Sequence, residues 1–91
     1  MIEIEFDPAK DAVNRRKHGI SLAAAALLFE GSTIRVPDKR FDYREERWRI
    51  VGRIDAETFT ACYTIRGRIY RIISVRRASR KERKAYEQAQ V

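Results

Sequence analysis

The 91-residue sequence contains few of the residues on which disulfide scaffolds, metal centres and nucleotide sites depend. A single cysteine, Cys62, excludes an intramolecular disulfide framework and is typical of the reducing cytoplasm. A single histidine, His18, together with scattered carboxylates offers no metal-ligand spacing. The four glycines form no phosphate-binding loop. We therefore expect neither a metal ion nor a nucleotide cofactor.

Long hydrophobic runs are also missing from the sequence. No apolar stretch approaches the roughly 18–20 residues that a membrane-spanning helix needs. The amino terminus, MIEIEFD, is acidic and alternating, unlike a secretory signal. The sequence therefore predicts a cytoplasmic protein. Its length allows one small domain, residues 1–91, and its 44% hydrophobic and 36% charged content is that of a folded domain rather than a disordered chain.

The net charge of +7 comes entirely from the carboxy-terminal end of the chain. Residues 1–65 carry 11 basic and 11 acidic side chains, whereas residues 66–91 carry nine basic and two acidic ones. This asymmetry favours a nucleic acid or an acidic protein as the partner. A disordered basic tail is the alternative, but the apolar residues between positions 69 and 75 indicate a folded strand within the same segment.

The first twenty residues predict a strand followed by a helix. Apolar residues alternate with glutamates as in a half-buried strand: Ile2, Ile4 and Phe6. Asp7 is placed to cap the start of a helix whose first residue is Pro8, and Gly19 is placed to end it after about His18. The apolar stripe expected on this helix is thin: Ala9, Ala12 and Val13.

Ser21 is placed to cap a second helix, which is almost entirely apolar and which Gly31 ends. A short strand, broken by a Pro-Asp pair, and a polar, exposed loop with two aromatic residues come next. Their bounds are residues 22–29 for the helix, 33–36 for the strand and 39–46 for the loop, with Phe41 and Tyr43 in the loop.

Three strands complete the predicted sheet: residues 47–54, 58–65 and 68 to about 77. In the first of them Trp48 and Ile50 share one face, opposite Arg49. Arg66-Gly67 predicts a tight turn between the second and the third. In the third, Ile72-Ile73 interrupts the alternation, as expected of a central strand that is covered on both faces.

Ser79 and Glu82 match a capping box and predict a carboxy-terminal helix that begins at Arg80. The predicted order is therefore β-α-α-β-β-β-β-α, an α+β fold. It has an antiparallel-rich sheet with two amino-terminal helices and one carboxy-terminal helix. We expect the three helices to gather on one face of the sheet.

Three blocks occur in this order along almost the whole chain: FDPAKDAVNRRKHGIS, EERW and RIISVRRASRKERKAYE. Together they resemble the BrnT family of toxins from bacterial type II toxin–antitoxin systems. The resemblance implies a RelE-like fold and a ribonuclease that cleaves RNA and so inhibits translation and growth. It also implies neutralisation by a BrnA-like antitoxin with a ribbon-helix-helix domain. In that family the complex represses its own promoter, and the antitoxin reads the operator DNA.

Metal-independent RNA cleavage needs a base for the ribose 2′-hydroxyl, cations for the phosphorane and an acid for the leaving oxygen. The expected products are a 2′,3′-cyclic phosphate and a 5′-hydroxyl. His18 is the only side chain that titrates near neutrality, and its cationic neighbours favour the neutral, base-competent form. The alternative is that His18 closes the helix by bonding its last carbonyls.

Glu46 and Arg47, where the charged loop enters a strand, are further catalytic candidates. Glu46 can act as the base or hold an arginine in position, and Glu45 is a weaker candidate. The alternative is an exposed carboxylate in a weak ion pair, worth about 0–1 kcal/mol.

Arg76 and Arg77 are the strongest candidates for the contact with the scissile phosphate. Because side chains alternate along a strand, one of the two points to each face of the sheet. An arginine at a rigid strand end can bind a phosphate through two hydrogen bonds, and the alternative is an exposed strand terminus. Further cations are expected either to track the RNA backbone or to be merely solvated: Lys17, Arg66, Arg68, Arg80, Lys81, Arg83 and Lys84.

The remaining candidates are assigned no chemistry. Trp48 is expected in the core, with stacking on an unpaired base as the alternative. Cys62 lies in mid-strand without a histidine near it in sequence. The other interpretation of the chain is a non-catalytic binding module, whose basic segment docks on nucleic acid or on an acidic protein. A repressor acting alone is disfavoured because no helix-turn-helix pattern is present.

Overall fold

The computed structural model describes residues 2–40, 42 and 44–90, so the loop aromatics Phe41 and Tyr43 lie outside the described residues. The strands are β1 (Glu3–Glu5), β2 (Thr33–Pro37), β3 (Trp48–Ile54), β4 (Glu57–Arg66) and β5 (Ile69–Arg77). The helices are α1 (Pro8–His18), α2 (Ala25–Glu30), which continues a 3-10 turn (Leu22–Ala24), and α3 (Arg80–Ala89). The predicted order of elements is confirmed. Within the described residues, no helix has the length and apolar character needed to cross a membrane.

The five strands form one mixed sheet in the order β1-β5-β4-β3-β2. β1 runs parallel to β5, and every other pair is antiparallel, which confirms the α+β class. β5 is an interior strand, as expected, but a β-bulge explains its broken alternation. Tyr63 of β4 pairs with Ile72 while Cys62 pairs with Ser74, so Ile73 is the extra residue. The bulge lets Ile72 and Val75, three residues apart, point to the same face.

One face of the sheet, which we call the core face, packs against the 3-10 turn and α2. The buried cluster on this face joins helix and strand residues: Leu22, Ala25, Leu28, Ile50, Phe59, Ala61, Tyr63, Ile72 and Val75. Trp48 packs against the edge of this cluster, which confirms the prediction that it belongs to the core. The predicted second helix consists almost entirely of apolar residues because it covers the centre of the sheet.

The expectation that all helices gather on one face is wrong, because α3 lies on the opposite face, which we call the α3 face. Thr60 and Arg76 are register partners there, and both contact Glu82 of α3. The chain reverses after β5, where the Ala78 N–H still donates to the Thr58 carbonyl at 2.9 Å. The capping box predicted at Ser79 is confirmed and starts α3 on this side.

The predicted apolar stripe of α1 is also wrong: Ala9, Ala12 and Val13 are exposed. The buried residues of this helix are polar, Asp11 and Asn14. The reason is that α1 packs on backbone that needs hydrogen-bond partners. The Asp11 carboxylate accepts from the Leu22 N–H at 2.7 Å, and the Asn14 amide bonds both polar groups of the Val75 backbone.

The predicted ends of α1 are confirmed. The Asp7 carboxylate accepts from the Ala9 N–H at 2.8 Å, and Pro8 is the first helical residue. Gly19 ends the helix in the left-handed conformation, with φ of 70°. This local chemistry determines where the basic end of α1, with His18, meets the sheet.

Candidate functional site

A carboxylate on α3 gathers side chains from three strands on the α3 face. Glu82 accepts two hydrogen bonds from Arg76, at 2.7 Å from Nη1 and 3.0 Å from Nη2. It also accepts from Arg49 Nη1 at 3.2 Å and from the Thr60 hydroxyl at 3.1 Å. The Ser79 N–H donates to the same carboxylate at 2.8 Å. Two guanidinium groups therefore share one carboxylate, and the cluster keeps a net positive charge.

The electrostatics of this cluster keep Glu82 ionised. Burial alone would favour the neutral acid, but the hydrogen bonds from Arg76 and from the Ser79 N–H outweigh it and lower the pKa of Glu82 to about 2. A carboxylate with so low a pKa is a poor proton acceptor near neutral pH. Glu82 is therefore suited to holding arginines and not to acting as a base.

The structure separates Arg76 from Arg77. Arg77 is the register partner of Phe59, so it starts from the core face of the sheet, opposite Arg76. Its Nε donates to the Glu57 carboxylate at 3.0 Å, and 72% of its side chain is exposed. Arg76 is 30% exposed and is held from several sides. Of the two arginines, Arg76 has the fixed geometry that phosphate binding requires.

His18 lies at the exposed end of α1, where it lines a groove with Lys17, Ile73 and Ser74. The volume of this groove is about 230 Å³. Among the described residues the imidazole bonds no carbonyl, so the helix-closing alternative receives no support. Ser74 lies on the α3 face two residues before Arg76, or about 7 Å along the strand. The groove therefore reaches the strand segment that carries Arg76.

Glu46 and Arg47 line a different cleft, of about 390 Å³, near the start of β3. Arg47 Nε donates to the Glu45 carboxylate at 3.1 Å, and Arg66 approaches the same carboxylate at 3.6 Å. Glu45, the weaker candidate, thus pairs with Arg47 and Arg66, although holding an arginine was predicted for Glu46 as the alternative to acting as the base. The carboxylate of Glu46 is exposed, while its backbone carbonyl accepts from the Thr64 hydroxyl at 2.6 Å.

The other predicted RNA-binding cations are exposed and do not share one cleft: Arg66 and Arg68 at the β4–β5 turn, and Arg80, Lys81, Arg83 and Lys84 on α3. Lys81 borders a groove with Arg49 and Glu82, whereas Arg83 borders another cleft with Arg77. His18 on α1, Glu46 and Arg47 before β3, and Arg77 on β5 line three separate clefts.

Sequence reasoning missed two residues of the Glu82 cluster. The sequence predicts Arg49 on the polar side of a strand and predicts for Glu82 only a capping role. The alternation of β3 does place Arg49 on the face opposite Trp48 and Ile50, but nothing in the sequence indicates that α3 covers that face. Only the position of Glu82 at the third residue of α3 carries a signal, because it orients the carboxylate back toward the strand end.

A second buried polar group lies under the loop before β3. The Asp38 carboxylate accepts from Arg40 at 2.8 and 2.9 Å, and these bonds hold its pKa well below the ordinary value. The Cys62 thiol donates to it at 3.6 Å, and burial raises the pKa of Cys62 to about 11. Among residues 2–40, 42 and 44–90, no three His, Cys, Asp or Glu side chains are grouped as a metal site would require.

Comparison with known proteins gives one family. A family model described as "Ribonuclease toxin, BrnT, of type II toxin-antitoxin system" matches residues 6–82. The match begins before α1 and ends at Glu82, so it contains His18, Glu46 and Arg76. No curated protein matches the chain.

Proposed function

The chain belongs to the BrnT family of ribonuclease toxins of type II toxin–antitoxin systems, and on that basis we propose that it cleaves RNA without a metal ion, by attack of a ribose 2′-hydroxyl on the adjacent phosphorus. The family match carries this proposal, because it spans all five catalytic candidates. A member of such a family has RNA as its substrate and an antitoxin as its partner.

The proposed reaction divides among few groups. A base removes the 2′-hydroxyl proton while the O2′–P bond forms, and an acid protonates the 5′-oxygen as the P–O5′ bond breaks. The products are a 2′,3′-cyclic phosphate and a 5′-hydroxyl. We assign stabilisation of the phosphorane to Arg76 and proton transfer to His18, whose groove reaches the same strand. Glu46 and Arg47, which line a different cleft, are the second candidates for proton transfer and for the cation.

The α3 face supports this assignment better than the core face. Arg71, Ser74 and Arg76 of β5 follow one another on that face, and His18 borders it through the groove that it shares with Ser74. Arg71 is half-buried and pairs with Glu5 at 3.2 Å. An RNA strand that follows β5 would place successive phosphates near fixed cations, with proton transfer available from α1.

The exposed cations outside this path are proposed to hold flanking phosphates: Lys17, Arg66, Arg68, Arg80, Lys81, Arg83 and Lys84. Such contacts raise affinity without selecting sequence and weaken with salt. We further propose a single RelE-like domain that acts in the cytoplasm. Its antitoxin would be a BrnA-like ribbon-helix-helix protein, and the complex would repress its own operon through the antitoxin.

The test uses the purified chain and a labelled single-stranded RNA, with a chelator present. We expect cleavage that leaves 2′,3′-cyclic phosphate ends, which mass spectrometry of the fragments identifies. Arg76→Ala should lower the cleavage rate by about 10²–10³-fold, the usual cost of losing a donor to transition-state charge. Arg77→Ala is the matched variant on the opposite face and should cost less than about threefold, because an exposed, solvated pair contributes little.

Two outcomes would contradict the proposal. One is a folded wild-type chain that binds the RNA and leaves it intact, which would favour the non-catalytic binding module. The other is cleavage that requires an added divalent ion. Equal losses for the two arginine variants would contradict the assignment to the α3 face and leave ribonuclease activity standing.

A further inference from the structure

Arg76 is held by only part of its guanidinium group. Nη1 and Nη2 donate to the two oxygens of Glu82, and Nη1 also donates to the Arg77 carbonyl at 3.2 Å. These contacts use three of the five N–H donors that an arginine carries. Within the described residues, the N–H of Nε and the second N–H of Nη2 have no partner.

The two remaining donors lie on one edge of the planar group. The Nε–Nη2 edge of an arginine matches two oxygens of one phosphate, the arrangement known from bidentate recognition. The side chain is 30% exposed, and its unpartnered Nε is not among the buried polar atoms of the described residues, so this edge can be reached while the opposite end stays fixed. The fixed end and the open edge together make Arg76 a prepared phosphate contact.

We propose that Glu82 is a positioning residue, which fixes Arg76 so that its Nε–Nη2 edge holds the scissile RNA phosphate through two hydrogen bonds as that phosphate becomes the phosphorane. This inference rests on the proposed ribonuclease function. Glu82 would touch neither the RNA nor the reacting atoms. Glu82 keeps the Arg76 guanidinium in the orientation in which it meets the charge that develops on the phosphorane, so that this ordering adds nothing to the activation barrier.

The surroundings of Glu82 are suited to a positioning role, because rigid elements restrain its carboxylate from several sides. Thr60 belongs to β4 and Arg49 to β3, while the Ser79 N–H at the start of α3 donates to the same oxygen as Thr60. The residue Thr60 is only 2% exposed. Groups carried on strands and on a capped helix start hold a site more closely than loop residues do.

Arg49 distinguishes this cluster from an ordinary ion pair. Its Nη1 donates to Glu82, while its Nε is buried and has no partner in the described part of the chain. The second guanidinium leaves an excess of one positive charge beside the fixed Arg76. That excess charge attracts an incoming phosphodiester. An ion pair with a purely structural role would need only one arginine.

The first variant to test is Glu82→Gln. Glutamine fills the same volume and keeps one oxygen for the Ser79 N–H, so the capping box survives. It replaces the second oxygen with an NH2 group that cannot accept from Arg76 Nη2 or from Arg49, so Arg76 keeps only its Nη1 bond to the remaining oxygen. We expect kcat for RNA cleavage to fall by about 10- to 100-fold with KM changed by less than about threefold, because a misplaced arginine mainly loses its contact with transition-state charge.

Glu87→Gln is the matched control, because it makes the same substitution at an exposed position of the same helix. Among the described residues, the Glu87 carboxylate forms no ion pair with an arginine. We expect a kcat within about twofold of wild type. If Glu82→Gln does not fold, Thr60→Val serves instead. It removes one donor to the carboxylate and should lower kcat by about three- to tenfold.

A double-mutant cycle tests whether Glu82 acts through Arg76. In an Arg76→Ala background, Glu82→Gln should change kcat by less than about twofold, because the residue through which Glu82 acts is gone. An additive loss in that background would overturn the inference, and so would wild-type kcat in folded Glu82→Gln. Faster cleavage by Glu82→Gln would mean that the carboxylate competes with RNA, which also overturns it. A wild-type chain without RNA cleavage would instead contradict the proposed function.

Discussion

The polar contact between α1 and β5 should be among the most sensitive features of the fold. β1 ends at Glu5, whose partner is Arg71, so among the described residues no strand pairs with this edge of β5 beyond Arg71. The side-chain amide of Asn14 forms hydrogen bonds with this edge. Its Nδ2 donates to the Val75 carbonyl at 2.8 Å, and its Oδ1 accepts from the Val75 N–H at 3.1 Å. The amide thus replaces the strand that is missing at this position.

Asn14→Ala removes these two bonds and a third, from Nδ2 to the Ile20 carbonyl at 2.9 Å. The residue is 5% exposed, so water does not readily replace the amide. A buried group left without its partner costs about 1–3 kcal/mol, and one hydrogen bond contributes about 1 kcal/mol net. We expect Asn14→Ala to lower the free energy of unfolding by about 3–4 kcal/mol, a large part of the stability of a small domain.

Asn14→Asp should be worse at neutral pH, although it is nearly isosteric. One carboxylate oxygen can still accept from the Val75 N–H, but the other faces the carbonyls of Val75 and Ile20 without a donor. Acid should relieve part of this loss, because a protonated carboxyl can donate one hydrogen bond. The two variants therefore separate lost bonding from added charge.

Urea unfolding followed by circular dichroism measures these changes, with the m-value as the test that the unfolding transition is unaltered. Val13→Ala is the control on the same helix, since Val13 is 42% exposed, and it should stay within about 0.5 kcal/mol of wild type. A loss below about 1 kcal/mol for Asn14→Ala, at unchanged m, would refute the reasoning.

Three further predictions follow from the packing and the charges. Gly52→Ala should lower the free energy of unfolding in urea by about 1–3 kcal/mol, because the added Cβ would lie 2.7 Å from Thr33 Cγ2. Gly31→Ala is the control and should lower it by less than about 0.5 kcal/mol, because no atom lies nearer than 4.0 Å to the added Cβ; equal losses in the two variants would contradict this. The folded-state pKa of Glu82, about 2, lies below its ordinary 4.5, so its ionised form stabilises the fold above about pH 4.5 and this stability is lost as the pH falls toward 2. Glu82→Gln should lose less stability over this pH range, and the same dependence of stability on pH in variant and wild type would contradict this. Cys62 is buried and its pKa is raised to about 11. At pH 8 its thiol should react with a thiol reagent at least about 10²-fold more slowly in the folded chain than in the chain unfolded by urea, and rapid labelling of the folded chain would contradict its burial.

The elements of this fold could be predicted because their signals are local. Asp7 and Gly19 limit α1, and Ser79 with Glu82 starts α3, through bonds that span only a few residues. Alternation also located the strands, since a period of two needs no knowledge of the partner strand. The three blocks that resemble BrnT identified the family, which the match over residues 6–82 confirms.

The errors concern residues whose partners are distant in sequence. Periodicity assigned the packing of α1 to three apolar residues, whereas Asp11 and Asn14 are buried. Asn14 meets the Val75 backbone 61 residues further along the chain. A polar side chain is buried only when such a partner is present, and no local pattern reports that partner. The bulge at Ile73 is similar, because register is a property of two strands.

The sequence by itself determined the residue types of the candidate site, the order of the elements and the concentration of positive charge after residue 65. Only the tertiary structure decided that Arg76 and not Arg77 joins Arg49 and Glu82, and that α3 crosses the sheet opposite α2. Strand alternation sends neighbouring arginines to opposite faces, but it does not say which face a helix will cover. That choice depends on how the chain turns after β5, and so on the packing of the whole sheet.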